Sequence, residues 1–167
     1  MRVFLDTEFT SFDEPKLISL GLVTDTGQSW YAELADGWTI DDCTDFVLET
    51  VLPLLSSDTK SRLTRRAAAR ALADWLVRVS GDAFPVIVFD AQFDWRLLVG
   101  LLSENDRGGG VSMAPVPLSW PGSAMAYRCS NLLEACLGSH PQRHHALVDA
   151  LALRGAVLQT EREFRCT

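Results

Sequence analysis

Hydrophobic positions along the chain fall into short continuous apolar runs and longer stretches in which they recur every 3.6 residues. Residues 2–8, RVFLDTE, open as an apolar strand, and residues 17–24, LISLGLVT, form a second rich in aliphatic and β-branched side chains. Asp25-Thr26-Gly27 is a turn leading to a third strand, Gln28 to Leu34, so the second and third predict a hairpin. Together the three predict an antiparallel start. The pattern then becomes helical, weakly over 43–55 and strongly over 64–79, where Ala68, Leu72, Trp75, Leu76 and Val79 share one face. Arg66, Arg70, Asp74 and Arg78 line another face at intervals of four. Gly81 and Pro85 end this helix before the compact strand Val86 to Phe89. Phe93 to Leu102 is helical again, stopped by Asn105 and Gly108-Gly109-Gly110.

Residues 105–124 hold four glycines, three prolines and three serines, which predicts a mobile loop around one short strand near Val111 to Leu118. A short helix is expected over Asn131 to Leu137 and a longer one over Ala146 to Thr160. The order β-β-β-α-α-β-α-(β)-α-α predicts an α/β fold: a mixed sheet, with three antiparallel strands and then parallel ones, flanked by helices.

Composition narrows the class. The 167 residues suit one domain, and 47% hydrophobic with 22% charged residues is the balance of a soluble globular protein. The purest apolar stretch, Ala83 to Phe89, contains Pro85 and is far too short for a bilayer span. The N-terminus is apolar only to Leu5 before it meets Asp6 and Glu8, which does not read as a secretory signal. Cys43, Cys129, Cys136 and Cys166 have no C-x-x-C pair and no zinc spacing, so they read as reduced thiols, mostly small buried hydrophobes, in a cytoplasmic protein.

The net charge of −7 argues against tight, non-specific binding of long nucleic-acid duplexes. It does not argue against phosphate chemistry mediated by metal ions: two divalent cations would bring the loaded protein to about −3.

Particular carboxylates carry the candidate chemistry. Asp6 and Glu8 lie two apart at the end of the first strand, so both point to one face with Thr7 turned away. Carboxylates so close repel unless one protonates or a cation lies between them, and a hard divalent ion is the natural occupant. Asp94, in FDAQFDWRLL, starts a helix, where it either caps the helix or joins such a site. Asp149, in HHALVDALALR, sits amid apolar residues and needs a metal or an ion pair with Arg143 or Arg154. His144 precedes it by five, a separation of about 140° on a continuous helix, so His144 must lie just before the helix to share a site with Asp149. Pro141 supports a helix start near there. Imidazole, with its ordinary pKa of about 6.5, suits proton abstraction from water near neutrality. His140 and His145 read as surface histidines.

FLDTEFT, DAQFD and HHALVDA, in this order and at these separations, resemble the DEDDh branch of the ribonuclease T-like 3′–5′ exonuclease superfamily, over Met1 to about Val157. DTEF followed by LISLGLVT and a hairpin is similar to its compact bacterial 3′–5′ exoribonuclease-like group. The resemblance implies a ribonuclease H-like sheet and a two-metal hydrolase using Mg²⁺ or Mn²⁺, with Asp6 shared between the ions, Glu8 and Asp149 completing one site and Asp94 steadying the other. It implies His144 as the base that helps activate water. The implied substrate is single-stranded nucleic acid with a free 3′ end, RNA before DNA, releasing nucleoside 5′-monophosphates. Relatives often dimerise, and the arginine-bearing helix is a candidate surface. Two departures stand out: Asp90, where many relatives carry an Asn that helps position Asp94 or substrate, adds negative charge that either weakens phosphate binding or supplies an outer-shell metal contact, and His145 stands where many carry a small or amide residue.

Phe9 either stacks on the terminal base or packs on the sheet, with Phe12 a weaker candidate, and backbone groups of Phe9 and Thr10 are placed to meet the 3′ end. Arg65, Arg66, Arg70 and Arg78 form a basic cluster that either guides a strand or is a solvated helix face. Rival readings are the same chemistry on DNA or oligonucleotides, a non-catalytic binding module, and a protein whose acidic residues only solubilise it.

Overall fold

The structure, a computed structural model, describes residues 1–56, 62–105, 112–118 and 123–165. Gly108-Gly109-Gly110, Val111 and Cys166 lie outside the described residues. The strands are β1 (Arg2–Phe9), β2 (Leu17–Thr24), β3 (Ser29–Leu34), β4 (Arg62–Leu63), β5 (Val86–Phe89) and β6 (Ala114–Pro117). The helices are α1 (Arg65–Ser80), α2 (Gln92–Leu102), α3 (Ala124–Leu137) and α4 (Ala146–Arg165). The sheet has six strands in the order β4-β3-β2-β1-β5-β6. β1, β2 and β3 pair antiparallel, while β5 joins β1, β6 joins β5 and β4 joins β3 in parallel. This is the mixed sheet expected, with β4 as an addition that two residues of apolar pattern do not reveal.

Alternation along the strands sends side chains to two helical layers. Val3 and Leu5 of β1 and Ile87 and Phe89 of β5 are buried with Leu72, Leu76, Leu98 and Leu101 of α1 and α2. Phe4 and Val88 face the other way, into a core with Cys129 of α3 and Ala150, Leu153 and Val157 of α4. By the same alternation Asp6 and Glu8 leave β1 on the α4 side, and Thr7 leaves it on the α2 side.

Three expectations need correction. The 43–55 segment is not an α-helix. After a 3-10 turn at Ile40–Asp42 it forms a π-type turn, Val47–Val51, and another 3-10 turn, Leu52–Leu54. Pro53 lacks the N–H that an α-helix there would need, and burying Val47 and Val51 against Ile18 holds the segment instead. α3 begins seven residues earlier than expected, because Ser123 caps it by accepting the Ala126 N–H at 3.1 Å. Cys136 is exposed, outside the stripe of Cys129, Leu132 and Leu133 that packs toward α4, whereas Cys129 is buried as foreseen. No described helix is long and apolar enough to cross a membrane.

α4 is held close to the sheet by two features. Arg154 donates from Nε to the Thr24 carbonyl at 2.9 Å and from an Nη to that of Asp25 at 2.6 Å, fastening the helix to the β2–β3 turn. At the other end its first turn rests on the backbone of Gly21, the residue paired with Asp6 across β1 and β2. A Cβ at Gly21 would lie 2.5 Å from the Ala146 carbonyl carbon and the Leu147 Cα, both backbone atoms. Only glycine admits the helix start at this depth.

Gly21→Ala is therefore expected to destabilise the protein by about 1–3 kcal/mol in urea unfolding. Gly155→Ala, on an exposed part of α4 with open space at its Cβ, should instead stabilise by about 0.5–1 kcal/mol. Equal effects of the two would show that the contact at Gly21 does not constrain the helix.

Candidate functional site

The carboxyl ends of β1 and β5 open into a cleft of about 660 Å³. Strand ends at the centre of an open α/β sheet are the usual place for a ligand, because the chain leaves them in different directions and parts there. The 43–55 segment forms a wall through Thr44, Phe46, Val47 and Val51. The end of α3 forms another through Leu133, Glu134 and Leu137. Asp6, Glu8, Asp94, Asp149 and His144 all line the cleft, so segments far apart in the chain meet at one point.

Each acidic group is set by its local structure. Asp94 does both things a helix-start aspartate can do: its Oδ2 accepts the Ala91 N–H at 3.3 Å, capping α2. Its Oδ1 accepts the Thr7 N–H at 3.1 Å and the Thr7 hydroxyl at 2.6 Å, which locks it beside β1. It is 2% exposed. Thr7 was absent from the residues singled out in the sequence; its signal was the small hydroxyl between two carboxylates, pointing to the face from which α2 approaches.

Asp149 pairs with neither candidate arginine. Arg154 is spent on the β2–β3 turn, and Arg143 makes a two-point pair with Glu134 at 2.9 and 3.2 Å. The Asp149 Oδ2 accepts the His144 N–H at 3.1 Å, while its Oδ1 is buried with no hydrogen-bond partner among the described residues.

His144 lies just before α4, as its spacing from Asp149 demanded, in the left-handed region at φ 71°. A non-glycine residue there is strained, and the bond to Asp149 is one of the contacts that hold it. The Phe46 ring meets the imidazole edge-on at 5.0 Å. Burial, followed by the charge of Arg143, lowers the His144 pKa, keeping the ring neutral at pH 7. His145 is not a surface residue: its ring stacks on Tyr31 at 4.5 Å and its Nδ1 is buried. The cause is the turn into α4, which sends successive histidines to opposite sides, one to the cleft and one to β3. His140 is exposed as expected.

Phe9 belongs to an aromatic group at the cleft mouth, 5.2 Å from Phe12 and stacked on Phe93 at 5.6 Å. Phe12 is 73% exposed, a large apolar surface left to solvent. Thr10 differs from expectation. It is fully buried, its N–H is given to the Lys16 carbonyl at 3.1 Å, and its carbonyl accepts the Thr44 N–H at 3.1 Å. Its backbone thus shapes the loop and the cleft wall and has no N–H left for a ligand. None of Arg65, Arg66, Arg70 and Arg78 lines the cleft, and Arg65 is paired with Glu104.

Two groups of donor atoms fall within 4.8 Å of one another: Glu8, His144 and Asp149, and Asp6, Asp90 and Asp94. Burial is the main reason that their acids hold protons. It and then the charges of Asp94, Glu8, Asp149 and Asp90 raise the pKa of Asp6 far above the ordinary carboxylate range. Burial and Asp149 push Glu8 up to about 8, and burial brings Asp94 to about 7 and Asp149 to about 6. Oxygen-rich donors, mutual repulsion, and the closed-off oxygens Asp6 Oδ2 and Asp149 Oδ1 fit a hard divalent cation.

Among solved structures, the chain is similar to the nuclease domain of 3'hExo, a DEDDh family member, determined by crystallography with bound rAMP. The TM-score is 0.60 at 12% sequence identity, over 97% of this chain and 92% of that one. No protein-family model and no curated protein sequence matches the chain. The likeness establishes the fold, a ribonuclease H-like mixed sheet shared with that domain.

The raised carboxylate pKa values make the metal-free folded protein bind more protons than the unfolded chain, so stability falls as pH rises toward Glu8's value of about 8. The lowered histidine pKa values act oppositely, but only below their ordinary 6.5. Metal-free protein is therefore expected to melt several degrees lower at pH 8.5 than at pH 6.5, on the order of what a few kcal/mol does to a chain this size. Excess Mg²⁺ or Mn²⁺ should remove most of that loss by taking the protons' place. A metal-free melting temperature that is flat over this range, or a fall that cations leave untouched, would argue against the cluster as described.

Proposed function

We propose that this chain is a metal-dependent 3′–5′ exonuclease that removes nucleotides from the free 3′ end of single-stranded nucleic acid, RNA in preference to DNA, as nucleoside 5′-monophosphates. The observation that carries the reading is the meeting of Asp6, Glu8, Asp94 and Asp149 beside His144 in one cleft, on a fold shared with a DEDDh nuclease domain. A purely solubilising role for these acids does not account for it, since solubilising carboxylates have no reason to be buried together against their own repulsion.

In this reading Asp6, Glu8, Asp94 and Asp149 would hold two divalent cations, Mg²⁺ or Mn²⁺. When bound, the cations neutralise the phosphodiester and make water more acidic. The chain's own residues do the rest. His144, held neutral and before the helix, accepts the proton of the attacking water through its ring. Asp149 fixes the His144 backbone through its N–H, and Thr7 fixes Asp94. Phe9, Phe12 and Phe93 offer flat apolar surface to the terminal bases, a contact that tolerates any sequence. The cleft's volume suits a terminal nucleotide rather than a duplex. The rAMP bound to the 3'hExo domain is the kind of product that cleavage of RNA would release, and it supports the preference for ribose.

The test is digestion of 5′-labelled single-stranded RNA with Mg²⁺ or Mn²⁺, beside matched DNA. A ladder shortening from the 3′ end is expected, abolished by EDTA and by Asp6→Ala. His144→Ala should lower kcat by about 10²- to 10⁴-fold. Phe9→Ala should act mainly on KM. No shortening of either nucleic acid by folded, metal-loaded protein would favour a binding module of the same fold, and faster loss of DNA would reverse the sugar preference.

A further inference from the structure

A fifth carboxylate, Asp90, faces the same point, and the four-carboxylate reading gives it no direct contact with a cation. β5 runs parallel to β1 with Val88 level with Phe4. Continuing both strands by two residues brings Asp90 level with Asp6, and the alternation that puts Phe4 and Val88 in one core aims both aspartates to that same side. The outcome is that carboxylate oxygens of Asp6, Asp90 and Asp94 all lie within 4.8 Å of one another. Three acids so placed repel strongly unless a cation joins them.

Of the other two acids, Asp94 is short of free oxygens. Asp94 gives its Oδ1 to both groups of Thr7 and its Oδ2 to the Ala91 N–H. Asp6 feels the charges of Asp94, Glu8, Asp149 and Asp90, and its Oδ2, buried with no hydrogen-bond partner among the described residues, is left for a cation. Asp90 is exposed to the cleft that it lines, and its carboxylate accepts the backbone N–H groups of Ala91 and of its own residue. A cation between Asp6 and Asp94 alone would be left mostly to water and to the substrate's phosphate, the usual arrangement for Mg²⁺ with one or two carboxylates.

We propose that Asp90 is a direct ligand of a divalent cation held with Asp6 and Asp94, so that this second ion is resident in the protein before nucleic acid arrives. The inference rests on the two-cation reading above. It turns the weaker of two metal positions into a three-carboxylate site for a hard cation such as Mg²⁺ or Mn²⁺.

The experiment is titration of Mn²⁺ into the full chain without nucleic acid, followed by calorimetry and by the electron paramagnetic resonance of free Mn²⁺. Wild type is expected to take up two ions. Asp90→Asn and Asp90→Ala should keep the tighter ion within about twofold and bind the other on the order of tenfold more weakly or not at all. Because the Asp90 charge repels Asp6 and Asp94, metal-free Asp90→Asn, which keeps an oxygen for the Ala91 N–H, should melt no lower than wild type, which separates lost binding from lost folding. Two ions bound by both variants with wild-type affinity would overturn the role of Asp90 and leave the two-cation reading standing. A single ion in wild type, unchanged in the variants, would overturn it equally. No Mn²⁺ uptake by wild type would overturn the two-cation reading, and this inference with it.

Discussion

Mutual repulsion among carboxylates at the ends of β1 and β5 is the constraint that the surrounding structure has to absorb. Asp6, Glu8, Asp90, Asp94 and Asp149 converge where burial already penalises a single charge, and the metal-free protein answers by retaining protons on several of them. The strand that carries Asp6 and Glu8 is anchored by the three residues before them. Val3, Phe4 and Leu5 are all fully buried, and each contributes about 1.5–3 kcal/mol relative to exposure. β1 also sits in the middle of the sheet, paired with β2 and β5, so its end cannot retreat from the charge it carries.

The acids are held by groups that are not acidic. Thr7 faces away from Asp6 and Glu8, yet its N–H and hydroxyl fix Asp94. The N–H of His144 fixes Asp149, and in doing so fixes His144 itself in a backbone conformation that non-glycine residues seldom adopt. Gly21 has no side chain to offer, and for that reason the first turn of α4 can come down onto the sheet beside Asp6. Each device is a short-range contact between elements that sequence separates widely. Together they keep the carboxylates close enough to share a cation.

An acidic protein that binds an anionic polymer must do so without a broad basic surface. The cleft is lined by one arginine among its described residues, Arg143, and that group is paired with Glu134. In the proposed reaction, attraction for phosphate comes from cations at the carboxylates, and contact with bases comes from the Phe9, Phe12 and Phe93 surface. Such a site favours a flexible end that can enter it over a stiff duplex, whose remaining phosphates would meet a protein of net charge −7.

The local part of this architecture was legible in the chain itself. Short apolar runs bounded by turn residues marked β1, β2, β3 and β5, and a 3.6-residue stripe marked α1, because strand and helix geometry act on residues close in sequence. The same geometry put Asp6 and Glu8 on one side of β1 and required His144 to precede the helix that bears Asp149. Local pattern failed where neighbours far along the chain decide. β4 exists only by pairing with β3, the 43–55 turns take their shape from Ile18 and Pro53, and α3 starts at a serine cap hidden in a run of prolines and glycines. The pairing of Thr7 with Asp94, the stacking of His145 on Tyr31 and the burial of Thr10 were likewise settled by tertiary structure. So was the grouping of Asp90 with Asp6, which depends on the parallel register of β1 and β5. The sequence by itself determined which residue types carry the chemistry and which side of its own element each one occupies. Only the tertiary structure decided which of them meet, because electrostatic and hydrogen-bonding contacts act over a few ångströms of space whatever the distance along the chain.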